Sequence, residues 1–329
     1  MKIFITGGSG FVGGALIERL KDKHELYAMA RSDRSADKVR QLGAEPVSCN
    51  LDNISEDHLK GMEVVIHCAA YVEPWGKFKL FYDANVTGTQ TMLDQSRAAG
   101  VKRFIHVSTE QVLFKGQDLN EVDETYPYPE RSPFPYSETK KQAEKRVLAA
   151  NIPGEFETLS LRPRLVWGPG DTTILRNLCE LVDKGDFRWI NQGRAITSTC
   201  YIDNYAQAIE LALEKGRGGE AYFITDDEYI SVRDLVNRML ASTGRSAPTK
   251  NLGYGIARFA AWGIEGVWKL LGIKKQPPVT RFSVAIIACN CTIRIDKAKK
   301  ELGYQPEFSI DQGMERLKAW GKENGLAKG

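Results

Sequence analysis

Tyr136 and Lys140, in the stretch Tyr136-Ser-Glu-Thr-Lys140, stand one helical turn apart, so a phenol and an ammonium share one face of a helix predicted over 136–150. A free tyrosine titrates near ~10 and is a poor base at neutral pH. An ammonium one turn away stabilises the phenolate and draws that value toward working pH, which a proton donor and acceptor requires. Thr109, paired with Ser108 at the end of an apolar run over 103–107, adds a hydroxyl for the same substrate oxygen. Such a trio moves a proton on and off an oxygen. The electrons need a carrier.

The first twenty residues supply its seat. An apolar run over 2–5 breaks at Thr6 into Gly7, Gly8, Ser9 and Gly10, then resumes with helical spacing at Phe11, Ala15, Ile17 and Leu20. A strand, a glycine turn and a helix N-terminus receive a pyrophosphate. Gly7 permits the tight turn, Gly10 lets backbone amides approach the phosphates, and Gly13 lets helix and strand pack closely. Ser9, Phe11 and Val12 complete the loop. The spacing G-x-x-G-x-x-G, with a second strand over 25–30, predicts a dinucleotide site whose preference is written at the end of that strand. An acid there holds the adenosine ribose hydroxyls. This chain has Ala30 followed by Arg31, Ser32 and Arg34, which suit a 2′-phosphate, so NADP(H) is favoured over NAD(H); the alternative is a solvated basic loop.

The elements that must position these groups repeat as strand and helix: strands over 46–51, 63–68, 103–107 and 157–161, with a helical stretch over 77–100. That order predicts an α/β, doubly wound parallel sheet, with ligands at the C-terminal strand ends. Asn50 and Leu51 fall there for the adenine, and Ala69 and Ala70 are small enough to lie against the cofactor. His67 reads as packed or hydrogen-bonded. Asn85, inside a helix, implies a specific hydrogen bond to a neighbouring strand.

Composition narrows the classes. The 329 residues are 42% hydrophobic and 26% charged with net charge +3, which argues against a nucleic-acid partner. Six cysteines follow no disulfide or zinc spacing, and four histidines include no ligand spacing, so no metal is expected. No signal peptide precedes the first strand, which predicts a reducing, cytoplasmic setting.

The motifs T-G-G-S-G-F-V-G, H-C-A-A, N-V-T-G-T, H-V-S-T, Y-S-E-T-K and R-P-R-L-V-W-G-P-G-D occur in this order over nearly the whole chain. The chain resembles the extended short-chain dehydrogenase/reductase family, which implies a Rossmann domain over 1–170, rejoined by 196–225, and a smaller α+β substrate lobe over 171–329. The resemblance implies catalytic roles for Thr109, Tyr136, Lys140 and Asn85, with Tyr136 and Lys140 also touching the cofactor, and places Pro163 against the nicotinamide. It also implies a homodimer through the helices over 77–100 and 136–150. Further stretches, L-R-P-R-L-V-W-G-P-G-D, Y-I-D-N, G-E-A-Y-F-I-T-D and P-P-V-T-R-F, resemble the 3β-hydroxysteroid dehydrogenase-like branch.

That branch implies an NADP(H)-dependent oxidoreductase interconverting a secondary alcohol and a ketone on a hydrophobic substrate, a 3β-hydroxysteroid, sterol or long-chain 3-oxo acid. Arg164 is a candidate for a substrate carboxylate or for a structural ion pair, and Trp75 and Phe78 for an apolar wall. Residues 252–273 carry aromatic residues among Arg258, Lys269, Lys274 and Lys275, and 283–291 is again apolar; the pattern suits a lid or a peripheral membrane contact through 252–291. Two alternatives remain open: a nucleotide-sugar epimerase or dehydratase with retained NAD, and a non-catalytic dinucleotide sensor. Glu110-Gln111 departs from the Asp-Glu pair that dehydratase relatives carry after the catalytic Thr.

Overall fold

Runs of Val, Ile and Phe too apolar to tolerate water on either face demand helices on both sides, and the chain provides them. The computed structural model describes residues 1–171, 173–273 and 275–326. Strands β1 (Lys2–Thr6), β2 (Glu25–Ala30), β3 (Glu45–Ser48), β4 (Val64–His67), β5 (Arg103–Val107), β7 (Glu157–Pro163) and β12 (Ala221–Ile224) form one sheet in the order β12-β7-β5-β4-β1-β2-β3. Every pairing in it is parallel. Connections leave β1 toward β2 on one side and reach β4 on the other, so the crevice opens at the C-terminal ends of β1 and β4.

Alternation along the strands builds two cores. Ile3, Ile5, Ile66 and Ile105 face helices α1 (Phe11–Leu20) and α7 (Ile202–Lys215). Phe4, Val65 and Phe104 face α4 (Gly88–Ala98) and α5 (Pro135–Ala149). Helix α2 (Asp33–Leu42) covers the β2–β3 edge, and α3 (Phe78–Phe81) precedes α4. The helix read over 77–100 is therefore interrupted: Tyr82–Thr87 forms a π-helical turn that contains Asn85. The third strand is shorter than the apolar run implied, because Asn50 draws the chain into a turn by accepting from the backbone N–H of Asp52 and Asn53.

A second, mixed sheet of four strands is made by β6 (Leu119–Val122), β10 (Ile196–Ser198), β13 (Tyr229–Ser231) and β15 (Cys291–Ile293). Short parallel pairs join β8 (Val166–Trp167) to β11 (Cys200–Tyr201) and β9 (Trp189–Ile190) to β14 (Asn251–Leu252). Helices α6 (Ile174–Asp183), α8 (Val232–Ala241) and α11 (Ile310–Glu323) enclose Trp167, Leu175, Met239 and Leu317. Last, α9 (Tyr254–Leu270) packs on α10 (Arg281–Ala288) through Ala257, Ala261 and Val284. No helix among the described residues is long and apolar enough to cross a membrane. Lys274, one of the basic residues singled out above, lies outside the described residues.

Candidate active site

The glycine turn has the backbone that its sequence requires. Gly7 adopts φ +70°, and a Cβ there would stand 3.1 Å from the Ala69 nitrogen. A Cβ on Gly13 would stand 2.2 Å from the Gly7 carbonyl oxygen. Gly10 caps α1 without a side chain, so that helix presents its free N–H groups to the crevice. The loop opens into a cavity of about 1040 Å³. Gly7, Ser9, Gly10, Phe11, Val12 and Gly13 line one end of it. Arg31, Asn50, Leu51, Ala69, Ala70 and Pro163 line its flanks, and Thr109, Tyr136 and Lys140 its far wall. The glycine cradle, the uncapped helix end and the cavity's size fit a dinucleotide.

Three predicted residues do not line it. Ser32 accepts from the Ser35 backbone N–H and so caps α2; Ser35 takes its place at the cavity wall. The S-x-x-S spacing is itself a capping signal and could have revealed this exchange. Arg34 lies outside the lining. Asn85 is buried beneath the site: its Oδ1 accepts from Tyr71 N at 2.7 Å, and its Nδ2 donates to Tyr71 O and to Thr139 Oγ1 at 3.1 Å. It ties the loop after β4 to α5 and positions rather than touches. Asn50 reaches the cavity, but its oxygen is committed to the turn.

The reacting groups are wired differently from the sequence expectation. Lys140 Nζ, buried, donates to the Val107 carbonyl at 2.7 Å and bonds His106 Nε2 at 3.0 Å. An ammonium only donates, so Nε2 accepts and Nδ1 carries the ring proton. Burial lowers Lys140 from 10.5 to about 8. The phenol of Tyr136 is not lowered. Its enclosure by protein and the nearby Glu110 carboxylate push it well above the ordinary tyrosine value, with a hydrogen bond to Thr109 opposing them. With Lys140 directed at β5 rather than at the phenol, the ammonium does not by itself supply the tuning that the helical spacing suggested.

Thr109 also differs. Its hydroxyl donates to Glu110 Oε2 at 2.8 Å and accepts from Gln111 N, so in this arrangement its proton is held by a carboxylate rather than aimed at a substrate oxygen. Glu110 in turn accepts from Arg164 Nη1 at 2.5 Å and from Gln111 Nε2 at 2.6 Å, and both members of the ion pair are buried. Of the two readings of Arg164, the ion pair is the one present. His106 and Glu110 are the residues that sequence reasoning missed. Only the flanking letters of H-V-S-T-E-Q hinted at them. His67 is packed, bonded to Thr6 and Thr89 Oγ1, and lowered to about 3 chiefly by burial, so it stays neutral.

A second, smaller cavity of about 100 Å³ adjoins Tyr136. Trp75, Phe81 and Phe134 line it, together with Phe282, whose ring centroid lies 6.3 Å from that of Tyr136. Lys269 sits over the Trp75 ring at 5.7 Å. Phe78 does not line it; it is exposed and tilts against Tyr82. Tyr136 and Phe282 border both cavities. Among the described residues no group of His, Cys, Asp and Glu could hold a metal.

Comparison with known proteins gives the family. Residues 4–252 match the 3-beta hydroxysteroid dehydrogenase/isomerase family. A 4-hydroxy-2-methyl-3-oxo-4-farnesyl-3,4-dihydroquinoline-1-oxide ketoreductase of Stigmatella aurantiaca is 38% identical, over 98% of this chain and 97% of its own. A 2-alkyl-3-oxoalkanoate reductase of Stenotrophomonas maltophilia is 36% identical, over 97% and 99%. In fold the chain is similar to DesIV, a dTDP-glucose 4,6-dehydratase of Streptomyces venezuelae solved with NAD and TYD bound, with a TM-score of 0.78 at 21% identity over 100% of this chain and 99% of that one. The glycine cradle, the Tyr136–Lys140 pair and end-to-end likeness to these reductases lead to one assignment: the chain belongs to the 3-beta hydroxysteroid dehydrogenase/isomerase family and is an NAD(P)-dependent oxidoreductase acting on CH–OH groups.

Proposed function

We propose that the protein uses NADP(H) to interconvert a secondary alcohol and a ketone on a large hydrophobic molecule, of the sterol or long-chain 3-oxo-acid type. The observation that carries this reading is the position of Tyr136 between a cavity of dinucleotide size and a mouth walled by Trp75, Phe81, Phe134 and Phe282. Aromatic walls favour hydrocarbon, and the two cations at this cavity are already engaged, Arg281 by Glu265 and Lys269 by the Trp75 ring, which disfavours a sugar diphosphate. The two reductase relatives are named for a farnesyl quinoline oxide and an alkyl oxoalkanoate. Arg31 just past β2 and Ser35 in the first turn of α2, with Ala30 in place of an acid, support NADP(H).

The nicotinamide, when bound, supplies or accepts the hydride. The chain's own part is to place and move one proton. Tyr136 holds it on the phenol and gives it to the oxygen of a ketone, or takes it back from an alcohol. A phenol held above its ordinary range stays protonated at working pH, which is the form that reduction of a ketone requires, although it is a weaker acid than a free tyrosine. The Thr109 hydroxyl, which donates to Glu110 in this arrangement, must turn from that carboxylate to reach the same substrate oxygen. Lys140 fixes α5 against the end of β5 through the Val107 carbonyl and His106, which sets where the phenol stands.

The test is Tyr136→Phe, assayed at the reduced-nicotinamide absorbance against a panel of sterols, long-chain 3-oxo acids and nucleotide sugars. Wild type is expected to turn over the first two classes and not the third. The variant is expected to keep dinucleotide binding and lose roughly 100-fold or more in turnover, the scale of one acid–base group. Undiminished rates would refute the role of the phenol, and sugar turnover would refute the substrate class.

A further inference from the structure

Helix α9 buries Ala257, Ala261 and Glu265 and leaves the opposite arc in solvent. On that arc, continuing one residue past the helix, Ile256, Phe259, Trp262, Val267, Leu270 and Leu271 are 48–85% exposed. Among the described residues fourteen large apolar side chains are exposed, and six of them are these. At 100° per residue they fill about half of the helix circumference, with Arg258 and Lys269 along one border. A patch of this kind on one continuous element is a contact surface.

Charge identifies what covers it. Over 250–291 the chain has Lys250, Arg258, Lys269, Lys274, Lys275 and Arg281 against Glu265 alone, a formal +5 in a protein whose total is +3. Glu265 is turned inward and bonded to Arg281, so its negative charge is neutralised beneath the patch. A second copy of the chain would bring like charge to like charge. A surface of anionic lipid would not. The helix has 17 residues and does not cross a membrane, so it lies in the plane of the interface.

We infer that α9 docks the protein on anionic lipid, with its aromatic arc in the headgroup layer and its basic border against lipid phosphates. The inner side of the same helix supplies Glu265 to the small cavity beside Tyr136, and Lys269, on the border, reaches that cavity's rim over the Trp75 ring. Docking therefore sets the mouth of that cavity over the bilayer. A route for a hydrocarbon substrate out of the membrane follows from the function proposed above; the docking itself does not depend on it.

The test uses the full chain, sedimented with vesicles of phosphatidylcholine alone or of equal parts phosphatidylcholine and phosphatidylglycerol. The protein is expected to pellet with the mixed vesicles, to remain largely in solution with the neutral ones, and to be released by high salt. Phe259→Ser with Trp262→Ser, both at exposed positions, is expected to lower the partition roughly tenfold or more. Arg258→Glu with Lys275→Glu is expected to abolish the preference for phosphatidylglycerol, and circular dichroism checks that both variants remain folded. Wild type left in the supernatant, equal partition onto both vesicles, or a double aromatic variant that pellets like wild type would overturn the inference. So would light scattering that shows a dimer broken by the aromatic substitutions without vesicle binding. No outcome depends on turnover, so failure of the proposed reaction would leave this result readable.

Discussion

Two neighbouring glycines in the first turn of α1 should respond to the same substitution with opposite signs. A methyl group on Gly13 would meet the Gly7 carbonyl oxygen at 2.2 Å, the Gly7 carbonyl carbon at 2.7 Å and the Gly8 Cα at 2.8 Å. All three are main-chain atoms, so no side chain can swing aside, and the β1–α1 turn itself must open by about 1 Å to restore van der Waals contact. Overpacking of this kind costs about 1–3 kcal/mol, and here the displaced atoms are the ones that face the pyrophosphate. On Gly14 the nearest atoms are Leu42 Cδ1 at 3.5 Å and Gly8 O at 3.8 Å, ordinary contact distances. There the gain in helix propensity stands, about 1 kcal/mol. Gly13→Ala and Gly14→Ala should therefore differ by about 3 kcal/mol, a gap of roughly 4 °C in melting temperature for a chain of this size. Scanning calorimetry with and without NADP(H), with equilibrium binding of the dinucleotide, measures both. Gly13→Ala should melt lower and bind roughly tenfold or more weakly, the scale of 1.4 kcal/mol transferred to the bound state. Gly14→Ala should melt higher with binding retained. A Gly13→Ala variant matching wild type in both assays would refute the close approach of turn and helix.

Two further outcomes follow from the site. Lys140 holds its proton less firmly in the folded chain, at about 8, than at its ordinary 10.5. Unfolding between those values takes up a proton, so this residue makes stability rise with pH across that window, by at most about 1.4 kcal/mol per unit, and adds no slope below it. The difference between urea curves of wild type and Lys140→Met from pH 7 to 10 isolates the effect; a flat difference would refute it. On the NADP(H) preference proposed above, Ala30→Asp should reverse it, weakening NADP(H) by roughly tenfold or more through repulsion of the 2′-phosphate. Competitive binding of the two dinucleotides checks this, and unchanged preference would count against the roles of Arg31 and Ser35.

Much of the fold could be read from the chain because its causes are local. Val and Ile runs bounded by turn residues marked the strands, and β4 and β5 fall where the apolar runs over 63–68 and 103–107 lie. Gly7 and Gly13 were identifiable because a positive φ and a backbone contact admit nothing larger. Tyr136 and Lys140 share a helix face because 3.6 residues make a turn wherever that helix sits. The boundary errors have local causes too: Asn50 ends β3 early through its own turn, and the π-helical turn at Tyr82–Thr87 appears in no periodicity.

What the chain did not disclose is which distant groups meet. Arg164 pairs with Glu110 across 54 residues, because β7 and the turn after β5 end side by side. Lys140 bonds His106 rather than the phenol, because α5 crosses above β5 and the buried ammonium takes the nearest acceptors. The exposure of Phe259 and Trp262 could not be told from burial either, since an apolar face reads alike whether protein, lipid or water lies against it. Backbone requirements are written at the residue that bears them; the partner of a charge, a proton or an apolar face is decided only when the elements pack.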